Sequence, residues 1–502
     1  MATALVTAAR ERLLERRGST GAGPGEAWRM CRRHWALLVL LTAGATLRIA
    51  THAAYQPALI YIDSIRYLEL TRTLEPGGLN PLGYPVLLLS WILPFRDLAL
   101  VALVQHVLGL AMGAGIYALL IRWNVRRWLA AAASAPVLLD AYQLQIEHNI
   151  MSDTLFQALL LGGLAALLWS PGSPSLPAIS ASGLLFGLAV TVRSVGMALV
   201  VVAVCAVVLV WRSPRRRRIG VLALILACFA APLLLYSSWS LYYGKGFRFS
   251  SAVSGTLLYA RVAPIADCDG LRAAGAPDHV IRLCPREPIA ARQGPDYYAH
   301  DPGSPSHTVA APRSMTRQEA LYDFGVHVIL NQPLDVAYAV AHDFAKGFAP
   351  VRTAASTDVP LERWRFQERY PAYSGHDPAQ ITREYGGEPP AADASWARFL
   401  RGYQDFGYMP GPLSAAGMIA GLLGAAGLGR RRTAGPPGLR AACLLPSIAG
   451  IALLTMSAAS MFSWRYQLPA LVLFPLAGAL GVTALIGKPE SPDQRHLRSS
   501  PR

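Results

Sequence analysis

Charge is scarce in this chain, and lysine is scarcer still. Only 15% of the 502 residues are charged, where an average soluble domain carries roughly 25%. Hydrophobic residues reach 53%, and the mean hydropathy is +0.33. That balance excludes one soluble core under a polar coat and points to a polytopic membrane protein. Lysine occurs three times, at Lys245, Lys346 and Lys488. Cysteine occurs six times, with no CxxC pairing of the kind that holds zinc. There is no Walker loop, no GxGxxG between a strand and a helix, no HExxH and no GxSxG. Those absences argue against an ATP-driven pump, a nicotinamide enzyme and a serine hydrolase. Between Met1 and Arg33 no short apolar core precedes a small-residue cleavage site. No cleaved signal peptide is therefore expected, and the first span is its own insertion signal. No internal repeat is visible.

A net charge of +16 comes from 46 basic and 30 acidic residues. Such an excess fits a nucleic-acid partner, or a membrane protein with basic cytoplasmic edges. Placement decides between them. A helix needs about 20 apolar residues to cross a bilayer. Ten segments qualify: Trp35–Ala50, Leu98–Ile121, Trp128–Tyr142, Met151–Trp169, Pro177–Val192, Val195–Trp211, Ile219–Leu241, Gly411–Leu428, Leu439–Ala459 and Leu468–Ile486. The run from Pro177 to Trp211 is divided because Arg193 would otherwise lie at mid-bilayer, at a cost of about 2.5 to 3.5 kcal/mol. Leu82–Phe95 is too short and contains Pro85, so it reads as an interfacial or re-entrant helix.

With both termini inside, the cytoplasmic segments hold 23 of the basic residues against five acids. The basic excess is thus almost wholly a topology signal, and no nucleic-acid partner is expected. The expected organisation is a basic cytoplasmic tail (1–34), seven spans with a first outer loop at 51–97 (35–244), a large outer segment (245–410), three further spans (411–487) and a cytoplasmic tail (488–502). The expected location is the plasma membrane. In the outer segment, Met315–Leu330 and Leu334–Phe348 have helical periodicity, and Pro350–Pro390 reads mostly as loop. Cys268 and Cys284 share this segment and are a candidate disulfide if it lies outside the cell. Cys205, Cys228 and Cys443 read as buried.

Chemistry concentrates at the predicted outer ends of the spans. Asp63 opens an amphipathic stretch, and is either a helix N-cap or a carboxylate able to take a proton from a hydroxyl. Glu147 and His148 are candidates for substrate or metal binding, or an ordinary interfacial polar pair. Asp153 suits a helix start electrostatically, and faces the same side as Asp63. Arg193, Lys245, Arg248 and Arg465 are either headgroup-snorkelling cations or phosphate ligands. An acid–base site requires that Asp63, Glu147 and Asp153 converge.

Several ordered segments resemble the GT-C glycosyltransferases. They are DSIRY from Asp63, NPLGYP from Asn80, MSDTLF from Met151, TVRSVGM around Arg193 and RYQLPA from Arg465. The resemblance covers mostly residues 35–260 and the final spans. Ser64 follows Asp63 where many relatives have Glu, Leu82 precedes Gly83 where many have Pro, and Asp153 replaces the usual Glu. The resemblance implies an all-α bundle of about ten transmembrane helices, with interfacial helices in the first outer loop and a mainly helical and irregular outer segment. It implies inverting sugar transfer from a polyprenyl-phosphate donor, with Asp63 as general base. Tyr67, Tyr84, Glu147, His148, Asp153, Arg193, Lys245, Arg248, Arg465 and Tyr466 would bind substrate. The acceptor would be a cell-envelope glycan, lipid or protein, and membrane lipids would surround the bundle. No cofactor is called for, and a divalent metal is left open. Two other classes fit the spans. One is a transporter or flippase, whose ionisable residues belong near the midplane; the other is a scaffold whose outer loop binds a partner.

Overall fold

The structure, a computed structural model, describes residues 24–77, 79–172, 174–210, 214–249, 254–373, 377–428 and 438–486. The basic N-tail before Pro24, Arg212, Arg430–Arg432 and the tail from Lys488 lie outside the described residues.

The described residues are mostly helical (73%). Five helices among the described residues are long and apolar enough to cross a membrane: Trp35–Ala54, Ala99–Arg122, Arg215–Tyr242, Leu439–Ala458 and Trp464–Ile486. Arg127–Leu139, Asp153–Leu168, Leu176–Val192, Ser194–Val208 and Gly411–Ala426 are apolar but shorter. Each of the ten apolar segments is therefore helical, and half of them fall below full-span length. The segment expected to run to Tyr142 stops at Leu139. Asp140 there turns to extended backbone, and its carboxylate caps Ala141–His148 by accepting from the Tyr142 and Gln143 amides. The division at Arg193 is present. Leu176–Val192 ends in extended backbone at Arg193, and a 3-10 turn follows over Ser194–Ala198. Pro85–Phe95 is a broken helix, with Trp91 and Phe95 exposed.

Small residues let the apolar helices approach closely, since side-chain packing must drive helix association in a lipid-like setting. Gly183 and Gly187 lie against the Ile225 and Phe229 carbonyls. Gly417 and Gly421 face Phe474 and Ala477 of the last helix. Cys443 is buried, whereas Cys205 and Cys228 are only half-buried, a departure from the expected burial of all three.

The segment from 254 to 404 packs over one end of this bundle. Its two main helices, Arg317–Asn331 and Pro333–Lys346, lie where periodicity places them. Thr316 and Glu319 cap the first reciprocally, and Gln332-Pro333 parts the two. Cys268 and Cys284 form a disulfide. A two-stranded antiparallel pairing joins Tyr55–Gln56 to Ala391–Ala392, and a parallel bridge joins Leu59 to Asn149. These tie the stretch before Asp63 both to the large segment and to the Met151–Asp153 turn.

Candidate functional site

Asp63 lies in the first turn of Ile62–Thr73, but Tyr61 is the N-cap and Asp63 caps nothing. Its carboxylate turns outward from the helix instead. Oδ1 accepts from Arg66 Nη1 at 3.1 Å, one helical turn on, and Oδ2 accepts from Arg465 Nη1 at 2.9 Å. Arg465 stands 402 residues away, in the turn Trp464–Gln467 that opens the last helix. Its other edge faces Asp153 Oδ2, Nε donating to it at 3.0 Å and Nη2 ion-paired with it at 2.9 Å. Asp153 is the first residue of Asp153–Leu168, and its Oδ1 accepts from Arg193 Nη1 at 2.6 Å. Tyr466 carries both Arg193 and Arg465 over its ring, at 5.6 and 6.0 Å. Five residues from four chain segments remote in sequence thus meet in one chain of ion pairs: Arg66, Asp63, Arg465, Asp153, Arg193.

Exposure grades along this chain. The Asp153 and Arg465 side chains keep 5% and 7% of their exposure, Arg193 keeps 16%, Asp63 keeps 19% and Arg66 keeps 38%. The inner carboxylate is therefore sealed, and Asp63 is the one that can meet a molecule from outside. Burial pushes the Asp63 carboxyl up, and the Arg465 guanidinium more than reverses this, with Arg66 and Arg193 adding to it. The net shift is downward, so Asp63 is ionised at neutral pH. Two carboxylates face three guanidiniums, and the site has one positive charge to spare.

Tyr67 and Tyr84 form the wall behind the ion pairs. Tyr67 shares a hydrogen bond with Ser152 at 2.8 Å, and Tyr84 donates to Gln105 at 3.0 Å. The two rings meet edge to face at 4.9 Å, and both residues are buried. Gly83 shows why the NPLGYP segment carries glycine: a Cβ there would overlap the Thr191 carbonyl, two residues before Arg193. Comparison with family models, with curated proteins and with solved structures finds no match. The chemistry must therefore be read from these side chains.

Glu147 and His148 do not join this site. Glu147 is fully buried and accepts from Arg48 through both oxygens at 2.8 Å, from His106 at 3.0 Å and from Gln143 at 3.1 Å. His148 is held between His106 at 3.1 Å and the Tyr55 carbonyl at 2.8 Å. Arg48 also donates to the Gly44, Val137 and Leu138 carbonyls. This network satisfies the last carbonyls of Arg127–Leu139 and locks four helices together. The expected three-acid cluster is thus a two-acid cluster.

Lys245 and Arg248 are also elsewhere. Lys245 pairs with Glu75 at 2.7 Å. With Arg248, Tyr236 and Gly77 it lines a separate cavity of about 560 Å³, beyond the far end of the Ile62–Thr73 helix. Twelve residues rise about 18 Å, which sets that cavity well away from Asp63. No group of three His, Cys, Asp or Glu side chains among the described residues is placed to hold a metal ion. Asp63 and Asp153 are already taken by guanidiniums, so this donor set does not fit a divalent metal.

Several participants escaped sequence reasoning. Arg66 was findable, since an i,i+3 cation beside an acid is a helix-face pair. Trp364 was not. Its ring lies 5.3 Å from the Arg465 guanidinium and 5.0 Å from Tyr61, and its Nε1 donates to Ser463 at 3.1 Å. Trp464 donates to the Thr353 carbonyl at 2.6 Å. The large segment thereby grips the turn that carries Arg465.

Proposed function

We propose that this protein is a membrane glycosyltransferase that moves a sugar from a polyprenyl-phosphate donor to an acceptor hydroxyl on the outer face of the membrane. The observation that carries the reading is the ion-pair chain in which Asp63, ionised and partly open, shares Arg465 with the sealed Asp153. The ordered motifs that resemble GT-C enzymes supply all five of its members, DSIRY giving both Asp63 and Arg66.

The residues divide the work by charge. The spare positive charge, on Arg193 and Arg465, suits an anionic phosphate that gains charge as it leaves. Asp63 accepts the proton of the attacking hydroxyl. The new bond joins the acceptor oxygen to the anomeric carbon, and the bond from that carbon to the phosphate oxygen breaks. The phosphate departs with the electron pair, and attack from the opposite side inverts the anomeric centre. Asp153 keeps Arg465 and Arg193 aimed into the site.

The same reading arranges ten apolar helices as a GT-C-like bundle with both termini cytoplasmic, and puts the 245–410 segment outside the cell. The Cys268–Cys284 disulfide supports that side, because disulfides persist in oxidising compartments. Labelled-sugar transfer from a polyprenyl-phosphate donor by the purified protein tests the reading.

A transporter or flippase is the second reading. It is favoured by Glu147, His106 and His148, which are ionisable, linked in series and buried among apolar helices. Uptake into proteoliposomes without any glycosyl product would select it.

A further inference from the structure

We propose that an open groove beside Asp63 is the acceptor subsite, and that it takes a water-borne glycan chain. The inference rests on the glycosyltransferase reading, and names the acceptor class that the reading leaves open. The groove has a volume of about 640 Å³, and its walls come from residues 362–373 with Arg401. None of its lining residues belongs to an apolar helix.

The lining chemistry selects the occupant. Glu362, Arg363, Gln367, Arg369, Tyr370 and Tyr373 offer carboxylate, guanidinium, amide and phenol groups together with ring faces. Sugar hydroxyls need directional donors and acceptors, and the apolar faces of sugar rings pack on aromatic side chains. A lipid acceptor would need an apolar wall for its tails. A peptide bound by strand addition would need a free strand edge. The one sheet among the described residues is the Tyr55–Gln56 pairing, which does not line the groove.

The groove is held in shape and joined to the site. Arg401 grips both Glu362 oxygens, at 3.1 and 2.9 Å. Tyr370 donates to the Ala58 carbonyl at 2.5 Å. The Tyr373 ring meets Tyr61 edge to face at 4.9 Å, and Tyr61 precedes Asp63 by two residues. Arg363 closes the same edge by pairing with Asp296 at 3.1 Å. The Tyr373 end of the groove therefore abuts the residue two before Asp63.

The test uses the full chain in lipid nanodiscs, with arabinan, mannan and galactan hexasaccharides as probes. Saturation-transfer NMR reads binding, and a titration gives the affinity. At least one probe binds the wild type, Asp63→Asn retains that binding, and Tyr373→Ala or Arg369→Ala weakens it by about tenfold, the loss of one good contact. Arg369 is exposed, so its variant folds if Tyr373→Ala does not. No binding by any hexasaccharide, or binding that neither variant weakens, overturns the assignment. Release of free sugar from the donor by the wild type, without acceptor, reports separately on the glycosyltransferase reading. Release without hexasaccharide binding sinks the groove and leaves that reading standing. Binding that depends on Tyr373, without release, does the reverse.

Discussion

Replacing Asp63 with Asn separates chemistry from folding better than any other change at this site. The substitution keeps the size of the side chain and an acceptor oxygen for Arg465 Nη1. Arg465 is not orphaned, because Asp153 still accepts from its Nε and stays ion-paired with its Nη2. Arg66 loses its partner, but it is well exposed and finds water. A hydrogen bond to a charged group is worth about 1.5 to 3 kcal/mol. Asp63 is partly solvated, and Asn restores part of the contact, so the expected stability loss is about 1 kcal/mol. The catalytic loss is larger. Removing a positioned general base lowers the rate by about 10² to 10⁴, or about 3 to 5 kcal/mol of barrier at 1.36 kcal/mol per tenfold. The assay is transfer of labelled sugar from polyprenyl-phosphate donor by purified protein, with gel-filtration profile and thermal midpoint as folding controls. The expected result is a monodisperse protein with a near-native midpoint and at least a hundredfold slower transfer. A folded Asp63→Asn protein at the wild-type rate would refute the base assignment, whatever the ion pairs look like.

On the glycosyltransferase reading, the ion pair with Arg465 also sets the pH profile. The folded Asp63 carboxyl titrates below the usual aspartate range, so its contribution to stability is present above the unfolded value and is lost as pH falls through the lower folded one. The acid limb of kcat/KM, which reports the free enzyme, should lie below the usual aspartate range. A bound phosphate competes for Arg465, so the acid limb of kcat should lie at higher pH; coincident limbs would show that Arg465 never leaves Asp63. Glu147→Ala leaves Arg48 buried without a counter-charge, a loss of about 3 to 5 kcal/mol. It should lower the thermal midpoint while transfer per folded molecule holds, and a selective kinetic loss would contradict a structural role. Gly83→Ala drives a methyl into the Thr191 carbonyl, and overpacking of this kind costs about 1 to 3 kcal/mol. A thermal midpoint equal to wild type would show that the segment can shift freely.

Apolar helices were legible because hydropathy is a property of the segment itself, but their lengths were not. Asp153–Leu168 has 16 residues and rises about 24 Å, short of a hydrocarbon layer of about 30 Å. Its end is fixed by Trp123, which donates to the Leu168 carbonyl from another helix. The same locality governs the site. Asp63, Asp153, Arg193 and Arg465 could each be picked out, because a charge at the end of an apolar run is conspicuous in one dimension. Glu147 looked equally conspicuous, and nothing near it in sequence shows that Arg48, 99 residues earlier, neutralises it. A buried acid and an available acid have the same local sequence. What distinguishes them is the partner and the opening, and both come from chain crossings such as Arg465 on Asp63 and Trp364 on Arg465. Sequence reasoning therefore proposes which carboxylates are out of place. Only the packing decides which of them still faces outward, and here that is Asp63.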